Sequence, residues 1–196
     1  MTGLLEKMQK ELPESRFTHV LGVVEEAHRL AKSVGCTSFD TLLRAAALHD
    51  CTKPFTYEEH IRYFEKYSYP LSEDDLRSPE VLHALTGALR ALYEFGEAEE
   101  TADLIRCHTT GKACMSTFEK ILFISDYTEK NRRHETCRNE RATLHTSLEK
   151  AETNEERLKL LDASALRILE NTVFYLNEKK VFIHPNTISA IDFLKS

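Results

Sequence analysis

The sequence predicts an all-α protein, one bundle of about eight or nine helices, and three observations carry that reading. Apolar residues recur every three and four positions along nearly the whole chain, the spacing that places them on one face of a helix. No segment shows the strict alternation of a half-buried strand. The stretch Phe39 to His49 is apolar almost all round, carrying Leu42, Leu43, Ala45, Ala46, Ala47 and Leu48, which suits a helix enclosed in the middle of a bundle.

From the N-terminus, Phe17, Val20, Leu21, Val24, Ala27, Leu30, Ala31 and Val34 form one stripe of an amphipathic helix over Ser15 to Val34, ended by Gly35. After the enclosed helix, Thr56 is placed to cap a helix reaching about Lys66. Pro70 with Ser72 marks a break before the acidic Glu73 to Asp75, a surface connector. Ser78-Pro79-Glu80 reads as a cap followed by proline at the first helical position, opening a helix through Leu82, Leu85, Leu89 and Leu92 to Gly96. Ala98 to His108 is the next helix. The loop Thr109 to Lys112 leads to Ser116-Thr117-Phe118-Glu119, a capping box, so the short apolar run Ile121 to Ile124 is expected in a helix rather than a strand. Beyond Asp126 the chain turns strongly charged, as a solvated loop and helix face would be. A long amphipathic segment from Asn154 carries Leu158, Leu161, Leu166, Leu169, Val173 and Leu176, and His184-Pro185-Asn186 opens a last short helix. With no repeat, low-complexity tract or clear linker, residues 1–196 are expected to form one domain, its core at about 16–130 and its C-terminal helices at about 135–196.

At 196 residues, 41% apolar and 30% charged, the chain can bury roughly 70% of its unfolded surface, so any metal would serve chemistry rather than hold the fold together. Its 26 basic and 32 acidic residues leave −6, which argues against a nucleic-acid polymer as partner while leaving room for a small phosphorylated ligand. Five cysteines, an odd number with no CxxC pair, suit a reducing compartment, and the cytoplasm is the expected location. No apolar run approaches the ~20 residues that span a bilayer, and MTGLLEKMQKELPESR at the start has acidic residues and lacks the apolar stretch of a signal peptide, so neither a membrane nor export is expected.

The chemistry is carried by histidines. His49-Asp50 ends the most apolar helix, where a charged Asp is expensive to bury unless paired or metal-bound. Alone, the pair is no more than a polar helix C-terminus. The series His19, His49, Asp50, His83, His108 and Asp126 is harder to explain, because each lies beside apolar neighbours on a separate predicted helix or at its end. Imidazole nitrogens and carboxylate oxygens converging on divalent ions would satisfy all of these groups, and two ions bridged by one Asp need about this many ligands. Such a set accepts iron, manganese or zinc.

This order of residues, a His, an adjacent His-Asp, a His, a His and an Asp, resembles the metal pattern of the HD-domain phosphohydrolases. The neighbouring sequence narrows the resemblance to the YqeK-type HD proteins: Arg16-x-x-His19, Ala47-Leu48-His49-Asp50-x-x-Lys53, Leu82-His83-x-x-x-Gly87-Ala88, His108-Thr109-Thr110-Gly111-x-x-x-Met115-Ser116, Asp126-Tyr127-x-Glu129-x-x-Arg132 and the tail His184-Pro185-Asn186-Thr187. It runs over nearly the whole chain from Arg16 and implies an HD-domain helical bundle that hydrolyses diadenosine tetraphosphate symmetrically to two ADP at a di-iron centre. Carried over by position, His19, His49, Asp50, His83, His108 and Asp126 are the ligands, with Asp50 bridging both ions. Lys130 departs from the pattern, since the family commonly has proline after the Glu.

Two close cations can lower the pKa of a bridging water, so that hydroxide attacks in line on a phosphoryl group they also hold. Asp50, Lys53, His83 and His108 are the residues expected around that step. Lys53 is a polyphosphate contact or, equally, a solvated lysine after a helix. Thr109, Thr110 and the Gly111 backbone could donate to phosphate oxygens beside His108. Arg132 and Arg133 suit bidentate phosphate recognition, with a charged loop as the other explanation. His28, His60, His134 and His145 lie in charged or mixed surroundings and are expected at the surface, His184 reads as structural, and Cys51 and Cys107 as packing residues. A phosphatase or phosphodiesterase acting on mononucleotides or cyclic nucleotides shares these ligands, and a non-catalytic nucleotide-binding module is the reading from another class. The long C-terminal amphipathic segment leaves a homodimer open.

Overall fold

A computed structural model describes residues 1–196 as eleven α-helices and one 3₁₀ turn, with no strand. The helices are α1 (Thr2–Glu11), α2 (Glu14–Ser33), α3 (Asp40–Leu48), α4 (Tyr57–Lys66), α5 (Glu73–Leu76), α6 (Leu82–Phe95), α7 (Glu99–Cys107), α8 (Thr117–Thr128), α9 (Glu135–Lys150), α10 (Asn154–Glu178) and α11 (Pro185–Lys195); the 3₁₀ turn is Pro79–Val81. The all-α expectation holds, and no helix is long and apolar enough to cross a membrane.

Helix α3 is enclosed, as its composition demands: α1, α2, α7 and α8 all pack on it, and Leu42, Ala45, Ala46, Ala47 and Leu48 have no exposed surface. One apolar core of 31 buried residues runs from Met8 to Ile191 and joins α2, α3, α8 and α10. The expected caps at Thr56 and Ser116 form as reciprocal capping boxes with Glu59 and Glu119, which puts the run Ile121 to Ile124 inside α8. Gly96 ends α6 at φ +66°, a left-handed turn that favours glycine.

Four expectations need correction. The helix count rises above eight or nine because α1 and α5 form. Met8 and Leu12 of the N-terminal segment are buried against the core, and Ser72 caps the connector in a box with Asp75. Ser78 does not cap α6, since Pro79–Val81 tightens into a 3₁₀ turn and leaves the Ser78 hydroxyl buried without a partner. The charged segment after Asp126 is not all solvated: α9 buries Cys137, Glu140, Leu144 and Leu148 on one face. There Glu140 accepts from Ser164 Oγ at 2.6 Å and from Arg167 Nη2 at 2.7 Å, clamping α9 to α10. His60, expected at the surface, is buried beside Phe64 one turn on, with Nδ1 2.9 Å from Thr86 Oγ1.

Two outcomes follow. Ile121, wholly buried in α8, should cost about 2–5 kcal/mol on substitution by Ala, read as a lowered urea midpoint at unchanged slope; a loss under about 1 kcal/mol would place it outside a packed core. Burial lowers the pKa of His60, so the unfolded chain binds its proton first on acidification. His60 therefore contributes stability that is present above about pH 6.5 and declines as the pH falls below it. Denaturation at about pH 7.5 and about pH 5 should show the wild type losing more stability than His60→Gln, and equal losses would contradict a buried neutral imidazole.

Candidate metal centre

Five elements deliver the donors to one place. His19 lies in α2, His49 caps the C-terminus of α3 with Asp50 in the turn after it, His83 opens α6, His108 caps the C-terminus of α7, and Asp126 lies in α8. All four histidines and Asp50 are buried; Asp126 is half-buried.

The ring nitrogens are sorted by the backbone. Nδ1 of His49, His83 and His108 lies 2.8, 2.8 and 2.7 Å from the carbonyl oxygen three residues back, at Ala46, Glu80 and Ile105, so Nδ1 donates there. His19 Nδ1 lies 3.3 Å from Glu129 Oε1 instead. Each Nε2 is left with its lone pair facing inward, the tautomer a metal requires. The Nε2 atoms then pair, His19 with His49 at 3.3 Å and His83 with His108 at 3.2 Å. Two donors each about 2.1 Å from one ion stand roughly that far apart.

Asp50 lies between the pairs. Its Oδ2 is 3.6 Å from His19 Nε2 and 3.5 Å from His49 Nε2, while Oδ1 is 3.2 Å from His83 Nε2 and 3.8 Å from His108 Nε2. Asp126 Oδ1 joins the first pair, 2.9 Å from His19 Nε2. His19, His49 and Asp126 form one cluster that could hold an ion, and His49, Asp50 and His108 another. The residues present therefore fit divalent metal, with Asp50 lying between the two imidazole pairs.

Electrostatics agree. Burial works against the Asp50 carboxylate, yet His49, His108 and His83 hold its pKa well below the usual range, and Asp126 is likewise lowered by His19 and Arg132 against its burial. Both acids are ionised at neutral pH. Burial pushes His83 down to about 4 and keeps it a neutral donor. For His19, burial is outweighed by Asp126 and Glu129, which raise it to about 8. Metal binding on this side would therefore compete with a proton.

Two charged residues that sequence reasoning gave no role belong to the site. Arg16 Nη1 is 2.6 Å from Asp50 Oδ2, one helical turn before His19 on the same face of α2. Glu129, 1% exposed, holds His19 Nδ1 and accepts from the Asn131 backbone N–H at 2.6 Å. Both stood inside the quoted motifs, but Glu129 lies in a charge run that reads as solvated. Gly22 makes the room for it: a Cβ there would lie 2.2 Å from Glu129 Oε2.

The expected phosphate contacts divide. Lys53 Nζ lies 3.3 Å from His83 Nδ1, beside the donors. Arg132 donates from Nη2 to Asp126 Oδ1 at 2.6 Å, and Arg133 is exposed nearby. Thr109 has a buried hydroxyl with no partner. Thr110 and Gly111 are a correction: the Thr110 hydroxyl donates to the Gly111 carbonyl at 2.9 Å, and the Gly111 N–H goes to the Cys107 carbonyl at 2.8 Å, so neither is free for phosphate. Three residues past His108 the chain has turned away from the donors and seats the C-terminal helices. Thr187 donates to the Thr110 carbonyl, and a Cβ on Gly111, at φ +64°, would lie 3.3 Å from Ala190. Cys51 and Cys107 are buried, their thiols pushed up to about 12 by that burial, as packing residues would be.

The family model described as HD domain matches residues 16–131. A symmetrical bis(5'-nucleosyl)-tetraphosphatase of Halalkalibacterium halodurans is 33% identical over 193 residues, covering 97% of this chain and 94% of the relative. Proteins of the same name from Bacillus subtilis and Staphylococcus aureus are 29% and 30% identical, covering 96% and 94% of this chain and 94% and 89% of theirs. The crystal structure of a predicted HD superfamily hydrolase involved in NAD metabolism from Clostridium acetobutylicum superposes with a TM-score of 0.85 at 29% identity, over 99% of this chain and 96% of that one.

Glu129→Ala should weaken metal binding on the His19 side by about 10–100-fold, with Glu129→Gln, which keeps an acceptor oxygen, losing less. Competition against a chelating dye reads the affinities, and far-ultraviolet circular dichroism reports that the helices remain. Unchanged affinity in Glu129→Ala would remove this residue from the site.

Proposed function

The chain belongs to the HD-domain family, and we propose that it is a metal-dependent phosphohydrolase that cleaves dinucleoside tetraphosphates symmetrically, diadenosine tetraphosphate giving two ADP. The observation that carries this reading is the placement of Asp50, one carboxylate oxygen toward each of two imidazole pairs. The substrate is supported by likeness over nearly the full length to three relatives named for that reaction.

Asp50 would be shared between two divalent ions, with His19, His49 and Asp126 holding one and His83 and His108 the other. Bound divalent ions supply a nucleophilic water near neutral pH and polarise the phosphoryl oxygen. The protein's own groups do the rest. The carbonyl bonds at Nδ1 hold each imidazole in the ligating tautomer, which makes the donor set rigid before substrate arrives. Lys53, half-buried beside His83, offers an ammonium to the reacting phosphates, and Arg132 supplies a guanidinium at the Asp126 side. Thr109 adds a hydroxyl without another partner. Iron is the metal assigned, on the resemblance to the YqeK-type proteins, from a donor set that also accepts manganese or zinc. Five free cysteines fit a cytoplasmic enzyme.

Anaerobically purified protein should contain about two metal ions per chain, predominantly iron, and should convert diadenosine tetraphosphate to ADP alone. ATP with AMP as products, or no turnover by metal-loaded protein, would overturn the proposal. Asp50→Ala should lose both metal content and activity while retaining its helical spectrum, and activity surviving in that variant would exclude the bridged pair.

A further inference from the structure

Two clefts lie beside the donor array, one lined by His83 and the other by Thr18 and Arg132, neighbours of His19 and Asp126, and they differ in chemistry. At the His83 end a cleft of about 210 Å³ is lined by Lys53, Phe55, Tyr57, His60 and Pro79. Tyr57 is 46% exposed, and the Phe55 ring tilts over His60 with centroids 5.7 Å apart. Flat faces of this kind, with a lysine between them and the donors, suit a nucleobase whose phosphates run toward His83.

At the Asp126 end a cleft of about 920 Å³ has no aromatic or aliphatic residue in its lining. Its walls are Thr18 next to His19, Lys130, Arg132, Arg133, Arg138 and Arg141, with Glu14 the single carboxylate. Arg132 is held by Asp126 and Lys130 by Glu25, but Arg133, Arg138 and Arg141 pair with no carboxylate. Arg141 donates to the Thr128 and Glu129 carbonyls, and the two guanidinium groups left without a partner, Arg133 and Arg138, mark an anion site in one cleft of a chain with net charge −6. That cleft offers no aromatic ring to a base, and its cations suit phosphate oxygens.

A symmetrical dinucleotide therefore meets an asymmetrical site, with the aromatic rings of Phe55 and Tyr57 on one side and a cationic wall suited to phosphates on the other. We infer that the protein also hydrolyses nucleoside 5'-tetraphosphates, which carry one nucleoside and a free phosphate end, giving a nucleoside diphosphate and pyrophosphate. The basic cleft accepts the free end, whose additional charge suits Arg133 and Arg138 better than a second nucleoside does. Water adds across the central anhydride: its oxygen joins one phosphorus, the bridging oxygen leaves with the other, and a proton goes to solvent.

This inference rests on the proposed symmetrical cleavage, and the test separates the two. Metal-loaded enzyme is given adenosine 5'-tetraphosphate and diadenosine tetraphosphate in parallel, and all products are quantified. Equimolar ADP and pyrophosphate from the first substrate is the expected result. Arg133→Ala/Arg138→Ala, two exposed positions whose loss leaves the core intact, should raise KM for adenosine 5'-tetraphosphate by about tenfold with kcat little changed, and KM for the dinucleotide by less. Tyr57→Ala should raise KM for both substrates. Cleavage of the dinucleotide alone, release of inorganic phosphate with ATP, or equal KM effects of the arginine pair on both substrates would overturn this inference and leave the proposed function standing. Inertness toward both substrates would overturn the two together.

Discussion

The constraint on which the structure depends is the burial of the Asp50 carboxylate, 3% exposed, just past the C-terminal end of the enclosed helix α3. A charge taken that deep is costly by several kcal/mol unless it is matched at once by partners. Here the partners are His49 at the end of α3 itself, the imidazoles of His19, His83 and His108 from α2, α6 and α7, and the guanidinium of Arg16 in α2. The arrangement of α2, α6, α7 and α8 can be understood as the solution to that one problem. Helices α2, α7 and α8, which help to enclose α3, also bring donors to its end, and α6 adds His83.

Helix ends supply the aim. A carbonyl at the C-terminus of a helix lacks its usual N–H partner, and the imidazoles of His49 and His108 take up that role with Nδ1 three residues downstream. The bond that satisfies an orphan carbonyl also fixes the tautomer and turns Nε2 inward, so secondary structure and ligation share one interaction. His19 is mid-helix, where the carbonyls are already used, and needs a side-chain acceptor instead. Glu129 fills that need from beyond α8, which in turn requires the missing side chain at Gly22. Because two acidic groups surround His19 and none touches His83 except the shared Asp50, the two sides of the centre carry different charge before any metal arrives. The flanking clefts carry the same asymmetry outward, aromatic near His83 and cationic near Asp126.

Much of this was legible in the sequence, for a physical reason in each case. The stripes at three- and four-residue spacing, the capping boxes at Thr56 and Ser116 and the glycine stops are local signals, and the helices they predict form. The six ligand positions stood out because polar groups on apolar faces must be satisfied somewhere. His60 was missed by the converse reasoning: its sequence neighbours are charged, but its i+4 partner Phe64 points the same way and both are buried. Helix α9 was underrated because its buried seam is narrow and includes Glu140, whose partners Ser164 and Arg167 lie more than twenty residues away. Thr110 and Gly111 follow a ligand so closely that they read as part of its cleft, yet a chain can reverse direction within three residues.

By itself the sequence determined the all-α class, the enclosed position of α3 and the candidate donors that the fold brings together, because periodicity, caps and the cost of buried polar groups act over a few residues. The tertiary structure decided which oxygen of Asp50 faces which imidazole pair, that Glu129 supports His19, that the stretch after His108 seats α11 and that two unlike clefts flank the centre. Those facts depend on distances between residues up to 110 positions apart, which no local preference encodes and which only the packing of helices against one another sets.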